Sequence, residues 1–406
     1  MNLVKERTME SILTAEQRNK VLLAMAELVR KKQKDILEAN ALDMSGFDQN
    51  DLAMYDRLKV DQGKIDGMIL SLEQLAQQED PLGVERFHFK HESGLHIYNK
   101  TASFGTVMII YESRPDVTIE AGGIAFKSGN KILLKGGKEA LNSNLAIVNL
   151  WHEALSQNGI NKDWVTYLNY DRERTRAFLK QPDQKIDLII PRGGERLIEF
   201  VKKHASCPVI VSGRGNNFVY VDKEADVEKA LEIIVNAKTA KISACNALDK
   251  VLIHKGLSGH DGFVKELISK LKDFDVEIIG DNGLNEFEGV QAIGDESIWY
   301  QEFLDYKIVL ADVNSPQEAV GMINKYGGGH SASIVTENKN EADFFLDAVD
   351  AAAVYHNAST RFTDGFQFGL GGELAISTDK LHQRGPIGLQ HLVTNKWYVY
   401  GNGQIR

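Results

Sequence analysis

Two cysteines and a few glycine-lysine clusters hold the groups in this 406-residue chain that can do covalent or anion chemistry. Cys245 lies in Thr239-Ala240-Lys241-Ile242-Ser243-Ala244-Cys245-Asn246-Ala247, small and polar residues that leave a thiol open to a ligand. Attack on a carbonyl needs the thiolate, which a nearby cation, a helix end or a desolvated cofactor edge stabilises; Lys241 is one such cation. An isolated cysteine also serves as a small buried apolar residue, and the local sequence leaves both roles open. Cys207 is the contrast, at the mouth of the apolar run Pro208-Val209-Ile210-Val211, where packing is the expected role. Two cysteines are too few for a disulfide framework and lack the spacing of a zinc site, so no metal is expected. No histidine stands out as a base, although His254, His330, His356, His382 and His391 are candidates to approach Cys245 in space.

Anion chemistry is signalled at two junctions. Ile190-Pro191-Arg192-Gly193-Gly194-Glu195 runs from a strand through Gly-Gly into a helix, which aims backbone N–H groups at an anion, or is a tight turn and nothing more. Lys135-Gly136-Gly137-Lys138 puts two ammonium groups at the carboxyl edge of a strand, where open α/β sheets bind ligands; the plain alternative is a solvated turn. The ordinary GxGxxG dinucleotide fingerprint is absent from these junctions.

The elements that must position these groups follow from periodicity. Thr14-Ala15-Glu16-Gln17 has the form of a capping box ahead of apolar residues at helical spacing. Apolar runs at 105–111, 131–135, 165–168, 187–191, 208–212 and 218–222 alternate with helical stretches at 115–127, 138–157, 172–180 and 195–205, the pattern of βαβ units with a parallel sheet. A second series follows Cys245, with strands at 250–254, 276–280, 308–313, 332–336 and 353–356 and helices at 260–274 and 316–326. Residues 88–103 alternate like a hairpin, and the tail Asn395-Lys396-Trp397-Tyr398-Val399-Tyr400 is aromatic; exposed edges of this kind invite pairing with a second chain, so a homo-oligomer is expected.

Length and composition agree with an enzyme-sized globular protein of two domains or more. A formal charge of −10 argues against a duplex nucleic-acid surface. No apolar run reaches membrane-span length and the first residues lack the apolar core of a signal peptide, so a cytoplasmic location away from membranes is expected.

Taken together, Tyr111-Glu112-Ser113-Arg114-Pro115-Asp116-Val117-Thr118, the 134–140 and 190–194 junctions, Ser243-Ala244-Cys245-Asn246-Ala247-Leu248, Asn357-Ala358-Ser359-Thr360-Arg361-Phe362 and the 364–369 and 376–386 stretches resemble the aldehyde dehydrogenase superfamily, and within it the γ-glutamyl phosphate reductase family, nearly end to end. The resemblance implies an α/β, aldehyde dehydrogenase-like fold of two doubly wound domains, one Rossmann-like for the cofactor and one catalytic, plus a small β oligomerisation element. The implied boundaries are 1–86 and 104–225 for the NADP(H) domain, 226–390 for the catalytic domain, and 87–103 with 391–406 for the hairpin and tail. It implies NADPH-dependent reduction of L-glutamyl 5-phosphate through a thioester on Cys245, with phosphate released, as the second step of proline biosynthesis from glutamate, and an association with glutamate 5-kinase. Lys135 takes the place of the lysine on the adenosine ribose, and Lys138 stands where NAD-preferring relatives carry a glutamate, which suits a 2′-phosphate. Arg192, Gly193 and Gly194 join the cofactor set, and Glu302 resembles the acid that grips the nicotinamide ribose. Ser113 stands where aldehyde oxidisers keep an oxyanion asparagine, leaving that job to backbone N–H groups and Asn246. Arg114, Ser359, Thr360 and Arg361 are the expected substrate contacts.

Hydrolytic relatives carry a general-base glutamate where this chain has Ile210-Val211-Ser212-Gly213-Arg214-Gly215. Its absence disfavours thioester hydrolysis. A catalytically silent scaffold is disfavoured by the presence of Cys245, Lys135 and Glu302. A nucleotide-free cysteine hydrolase is disfavoured by the lack of a placed His/Asn pair.

Overall fold

The structure, a computed structural model, describes residues 12–47, 52–281, 283–381 and 383–406. The chain forms two compact units: Met1–Val211 with Gly369–Ala375 and Ile387–Arg406, and Ser212–Phe368 with Ile376–Pro386.

The first unit begins with helices α1 (Ala15–Lys31), α2 (Gln33–Ser45), α3 (Leu52–Leu58) and α4 (Gln62–Gln77). Thr14 and Gln17 close the expected capping box on α1, and Asp61 caps α4 by accepting from Lys64 N. The α1 stripe Val21, Leu22, Met25 and Val29 enters one core with Ile65, Met68 and Leu72 of α4. Strands β1 (Glu85–Lys90) and β2 (His96–Ala102) form an antiparallel hairpin, and the C-terminal strand Thr394–Tyr400 adds to the other side of β2.

A four-stranded parallel sheet then follows, built from β3 (Thr106–Tyr111), β4 (Lys131–Lys135), β5 (Val165–Tyr167) and β6 (Leu188–Arg192), with spatial order β5-β4-β3-β6. The crossovers are α5 (Val117–Lys127), α6 (Leu141–Gln157) and α7 (Arg172–Lys180); α8 (Glu195–His204) leaves β6. The chain steps outward from β3 to β5 and then returns to β3's other side, which makes the β3/β6 pair a topological switch point. Side-chain alternation splits the packing: Val107 and Ile109 face the core of α1, α5 and α6, whereas Met108 and Ile110 pack with Phe178 of α7 and Val201 of α8.

In the second unit, seven parallel strands adopt the order β10-β9-β11-β8-β7-β12-β13. They are β7 (Asn217–Val221), β8 (Leu248–His254), β9 (Glu277–Gly280), β10 (Val290–Ala292), β11 (Lys307–Val313), β12 (Ser331–Val335) and β13 (Ala353–His356). Helices α9 (Val227–Thr239), α10 (His260–Lys272), α11 (Pro316–Tyr326) and α12 (Lys339–Ala348) cover the two faces. Val219 and Val221 enter the core with α9 and α10, and Phe218 and Tyr220 the core with α11 and α12. Burial on both faces explains the unbroken apolar runs.

The α/β architecture with two doubly wound sheets is the expected one. Two placements differ. β7, expected in the first domain, is a central strand of the second sheet between β8 and β12, so the unit boundary falls at Val211 rather than near 225. An apolar run buried on both faces does not announce which sheet it joins. Residues 208–212, expected as a strand, make only single bridges, Ile189 to Val209 and Ser212 to Ser377. The stretch read as a hairpin forms β1 and β2, the aromatic tail adds to β2 of the same chain, and both belong to the first unit. Among the described residues no helix is long and apolar enough to cross a membrane.

Candidate active site

Cys245 is exposed, in a turn between α9 and β8. Asn217, fully buried at the start of β7, holds that turn: its Nδ2 donates to Gly215 O at 2.6 Å, Cys245 O at 2.8 Å and Ala247 O at 2.7 Å. Gly215 lets the two segments meet, since a Cβ there would fall 1.9 Å from Cys245 O. The stretch where hydrolytic relatives place a glutamate is thus pressed against the Cys245 backbone, without room for any side chain at 215. Sequence reading missed both residues as site elements; a glycine and an asparagine just ahead of an apolar strand were the only signal.

Asn246, Thr360 and Arg361 meet around the same turn. Asn246 Nδ2 donates to Arg361 O at 3.1 Å and Thr363 O at 2.9 Å, and Thr360 Oγ1 donates to Asn246 O at 2.8 Å. Ser359 caps the one-turn helix Thr360–Phe362 by accepting from Arg361 N at 3.3 Å. These bonds fix the backbone of the half-buried Arg361, whose guanidinium and Cys245 interact electrostatically; burial pulls the arginine's pKa down and Cys245 opposes that. Arg361 Nε and Nη1 are buried with no hydrogen-bond partner. A cation with unsatisfied donors that acts on a thiol has the chemistry to hold an anion.

Among the described residues, the four candidate histidines are each engaged in a hydrogen bond to another group. His254 Nδ1 accepts from Gly256 N, His356 Nε2 pairs with Thr336 O, and His391 Nδ1 accepts from Gly388 N. His330 is fully buried against Ser331, and burial pushes its pKa down to about 4, so it stays neutral. His382 lies outside the described residues. Cys207 is partly buried in an apolar cluster, where burial pushes its thiol up to about 11.

In the first unit the carboxyl edge of the parallel sheet gathers the expected cofactor residues other than Glu302, which lies in the second unit. Lys135 ends β4 and donates to Gly136 O at 2.7 Å; burial lowers its pKa, opposed by Glu139 and Asp171. Lys138 is exposed one turn on. Ser113 is fully buried, and its backbone N and Oγ donate to Glu139 Oε1 at 2.9 and 2.7 Å. Burial works against ionisation of Glu139, but the Ser113 bonds hold its carboxyl below the usual range. Gly194 N, at the start of α8, donates to Glu112 Oε2 at 2.9 Å, so the chain's own carboxylate sits where an anion would bind. Arg114 pairs with Asp116 at 2.8 Å. Glu120, on α5, is pushed up to about 7, chiefly by burial and then by Asp116, against the pull of Arg114 and Arg192.

Comparison with known proteins follows the same lines. Residues 7–283 match the model of the aldehyde dehydrogenase family. A γ-glutamyl phosphate reductase of Lachnospira eligens is 43% identical over 397 residues, 97% of this chain and 95% of the relative. The crystal structure of the γ-glutamyl phosphate reductase of Thermotoga maritima superposes with a TM-score of 0.91 at 40% identity, covering 97% of this chain and 95% of that one. The chain belongs to the γ-glutamyl phosphate reductases of the aldehyde dehydrogenase family. An acetylating aldehyde dehydrogenase of Geobacillus thermoglucosidasius, 17% identical with a TM-score of 0.70, has the same fold and covers 98% of this chain and 94% of its own.

Proposed function

We propose that this reductase converts L-glutamyl 5-phosphate and NADPH to L-glutamate 5-semialdehyde, phosphate and NADP⁺ through a thioester on Cys245, as the second step of proline biosynthesis. The observation that carries the reading is the exposed Cys245, held in a fixed turn, with the unsatisfied guanidinium of Arg361 acting on it. The guanidinium favours the thiolate and takes up substrate anion charge, from the leaving phosphate or the α-carboxylate; Arg114 is the second candidate for that work. The thiolate attacks the γ-carbonyl, and collapse of the tetrahedral oxyanion breaks the carbon–oxygen bond to phosphate and leaves the thioester. Both Asn246 amide hydrogens are engaged by backbone carbonyls and the Ser113 hydroxyl is donated to Glu139, so the oxyanion falls to backbone N–H groups of the Cys245 turn. Asn246, Ser359 and Thr360 act by holding Arg361 in place.

The carboxyl edge of the first unit's sheet fits a phosphorylated dinucleotide: a partly desolvated Lys135 and an exposed Lys138 stand at one strand end, and Arg192 closes the switch point. When bound, the nucleotide supplies the hydride that reduces the thioester. Gly193 and Gly194 reach a phosphate only by displacing the Glu112 carboxylate. Glu302 is assigned to the nicotinamide ribose. The exposed aromatics Phe87, Phe89, Trp397 and Tyr400 on the three-stranded sheet suit pairing between copies of the chain. An acyl phosphate is labile, which favours hand-over from glutamate 5-kinase, and the pathway places the enzyme in the cytoplasm.

The test runs the reaction backwards with glutamate semialdehyde and NADP⁺. NADPH formation should require phosphate and vanish in Cys245→Ser. Turnover that ignores phosphate refutes the acyl-phosphate chemistry.

A further inference from the structure

The segment that carries Glu302 is held, backbone group by backbone group, by side chains of β8 and of the stretch leading into β7, the elements that flank the Cys245 turn. Asn216 Nδ2 donates to Trp299 O at 2.6 Å and Arg214 Nη1 to Tyr300 O at 3.1 Å. Lys250 Nζ donates to Gln301 O at 2.8 Å, and Phe303 N donates to Asp249 Oδ2 at 3.1 Å. Lys250 closes this set. It is fully buried, donates also to Asn216 Oδ1 at 2.9 Å, and lies 3.9 Å from the centroid of the Phe303 ring. A lysine in the apolar run of β8 occupies a site where an aliphatic side chain would meet no desolvation penalty, and the proposed reaction has no step for it. What the ammonium does there is join three things: the Gln301 carbonyl, the Phe303 ring and, through Asn216, the residue next to Asn217 that holds the Cys245 turn.

We propose that Lys250 is a positioning residue for the nicotinamide nucleotide, fixing the Gln301–Phe303 segment so that Glu302 meets the ribose. This rests on the assignment of Glu302 made above. The groups that face the Lys250 ammonium are Asp249 on its own strand, Lys238 of α9, which is bonded to Asp249 Oδ1 at 3.2 Å, and Glu302; Lys307 of β11 shares the Phe303 ring at 5.8 Å. Burial pushes Lys250 down to about 7, with Asp249 and Glu302 opposing and Lys238 assisting. Raising the pH through neutrality therefore removes the charge from its bonds to Gln301 and Asn216.

The experiment titrates NADPH by fluorescence into the full-length wild type, Lys250→Met, Glu302→Gln and the double variant, and separately measures iodoacetamide alkylation of Cys245 without nucleotide. Each single variant should weaken NADPH by about tenfold, the loss of one charge-assisted bond, while the double variant is no weaker than Glu302→Gln by more than about threefold, because Lys250 acts through Glu302. Alkylation of Cys245 in Lys250→Met should stay within about twofold of wild type, as for a site held independently by Asn217. Wild-type affinity in Lys250→Met, or losses that multiply in the double variant, overturns the proposal. Wild-type affinity in Glu302→Gln brings down the ribose assignment and this inference with it, a separate outcome. If Lys250→Met does not fold, the wild-type protein decides: NADPH affinity should decline as pH rises through about 7, and a flat profile from there upward overturns the inference.

Discussion

Asn217→Asp tests how the Cys245 turn is held. The change keeps the side chain's shape at a fully buried position and removes both amide hydrogens, which now serve three carbonyl oxygens within 2.8 Å. Asn217 Oδ1 has no partner, so everything the side chain contributes passes through Nδ2. Two hydrogens satisfy two carbonyls at full strength, and each buried carbonyl left bare costs about 1–3 kcal/mol, so a loss of about 3 kcal/mol is expected at neutral pH. For a unit of this size that is a fall in Tm of roughly 6–12 °C. The introduced carboxyl faces three oxygens at a fully buried position and is protonated readily; one O–H returns below its raised pKa, so the deficit should shrink as pH falls. Thermal melts across pH give the stability, and the rate of Cys245 alkylation together with phosphate-dependent turnover gives the geometry. A folded Asn217→Asp protein with wild-type alkylation and turnover at neutral pH would show that the Cys245 turn does not depend on this amide.

Two further outcomes follow from the charges. Replacing Arg361 by Met should slow Cys245 alkylation at neutral pH, move its pH profile upward and raise KM for phosphate, with Cys207, pushed up to about 11 by burial, as the unreactive internal control. Unchanged alkylation would separate the guanidinium from the thiol. Glu120 has a folded pKa raised from 4.5 to about 7, so its stabilising contribution is present below the unfolded value and lost as pH rises through about 7. Glu120→Gln should therefore gain on wild type between those two values, by at most about 3 kcal/mol at 1.4 kcal/mol per tenfold change in proton affinity, and then level off; parallel urea midpoints across that window would contradict the raised pKa.

The readable parts of the fold were those where one physical signal sufficed. Capping at Thr14, the apolar runs of β3, β4 and β6, and the helices between them stood in the sequence because local chemistry and tertiary structure agree there. Helix α2 was not legible: its buried residues are Ile36, Asn40 and Asp43, and two of those three are polar. Asp43 earns its burial only across 99 and 100 residues of chain, by accepting from Asn142 N at 3.0 Å and Ser143 N at 2.8 Å at the start of α6. At the candidate site, Cys245 and Arg361 were singled out through family motifs, not periodicity. Lys250 and Asn217 were missed because their partners are backbone carbonyls, which every sequence possesses and none displays. A charged residue amid the apolar run of β8 was the one available sign.

The residues at 214–217 let a single short stretch hold both ends of the proposed reaction. Successive side chains of an extended segment point to opposite sides. Asn216 therefore turns to Trp299 and Lys250, toward Glu302, while Asn217 turns to the Cys245 turn, with Gly215 supplying the close approach. In a relative that hydrolyses its thioester, this stretch must also hold a base and admit water. Here the space beside the Cys245 backbone is filled to within a Cβ, and the polar groups are committed to fixing peptide groups. In the proposed reaction that trade favours persistence of the thioester until hydride arrives, because a carbonyl held against a packed backbone and without an activated water has only phosphate and hydride as partners.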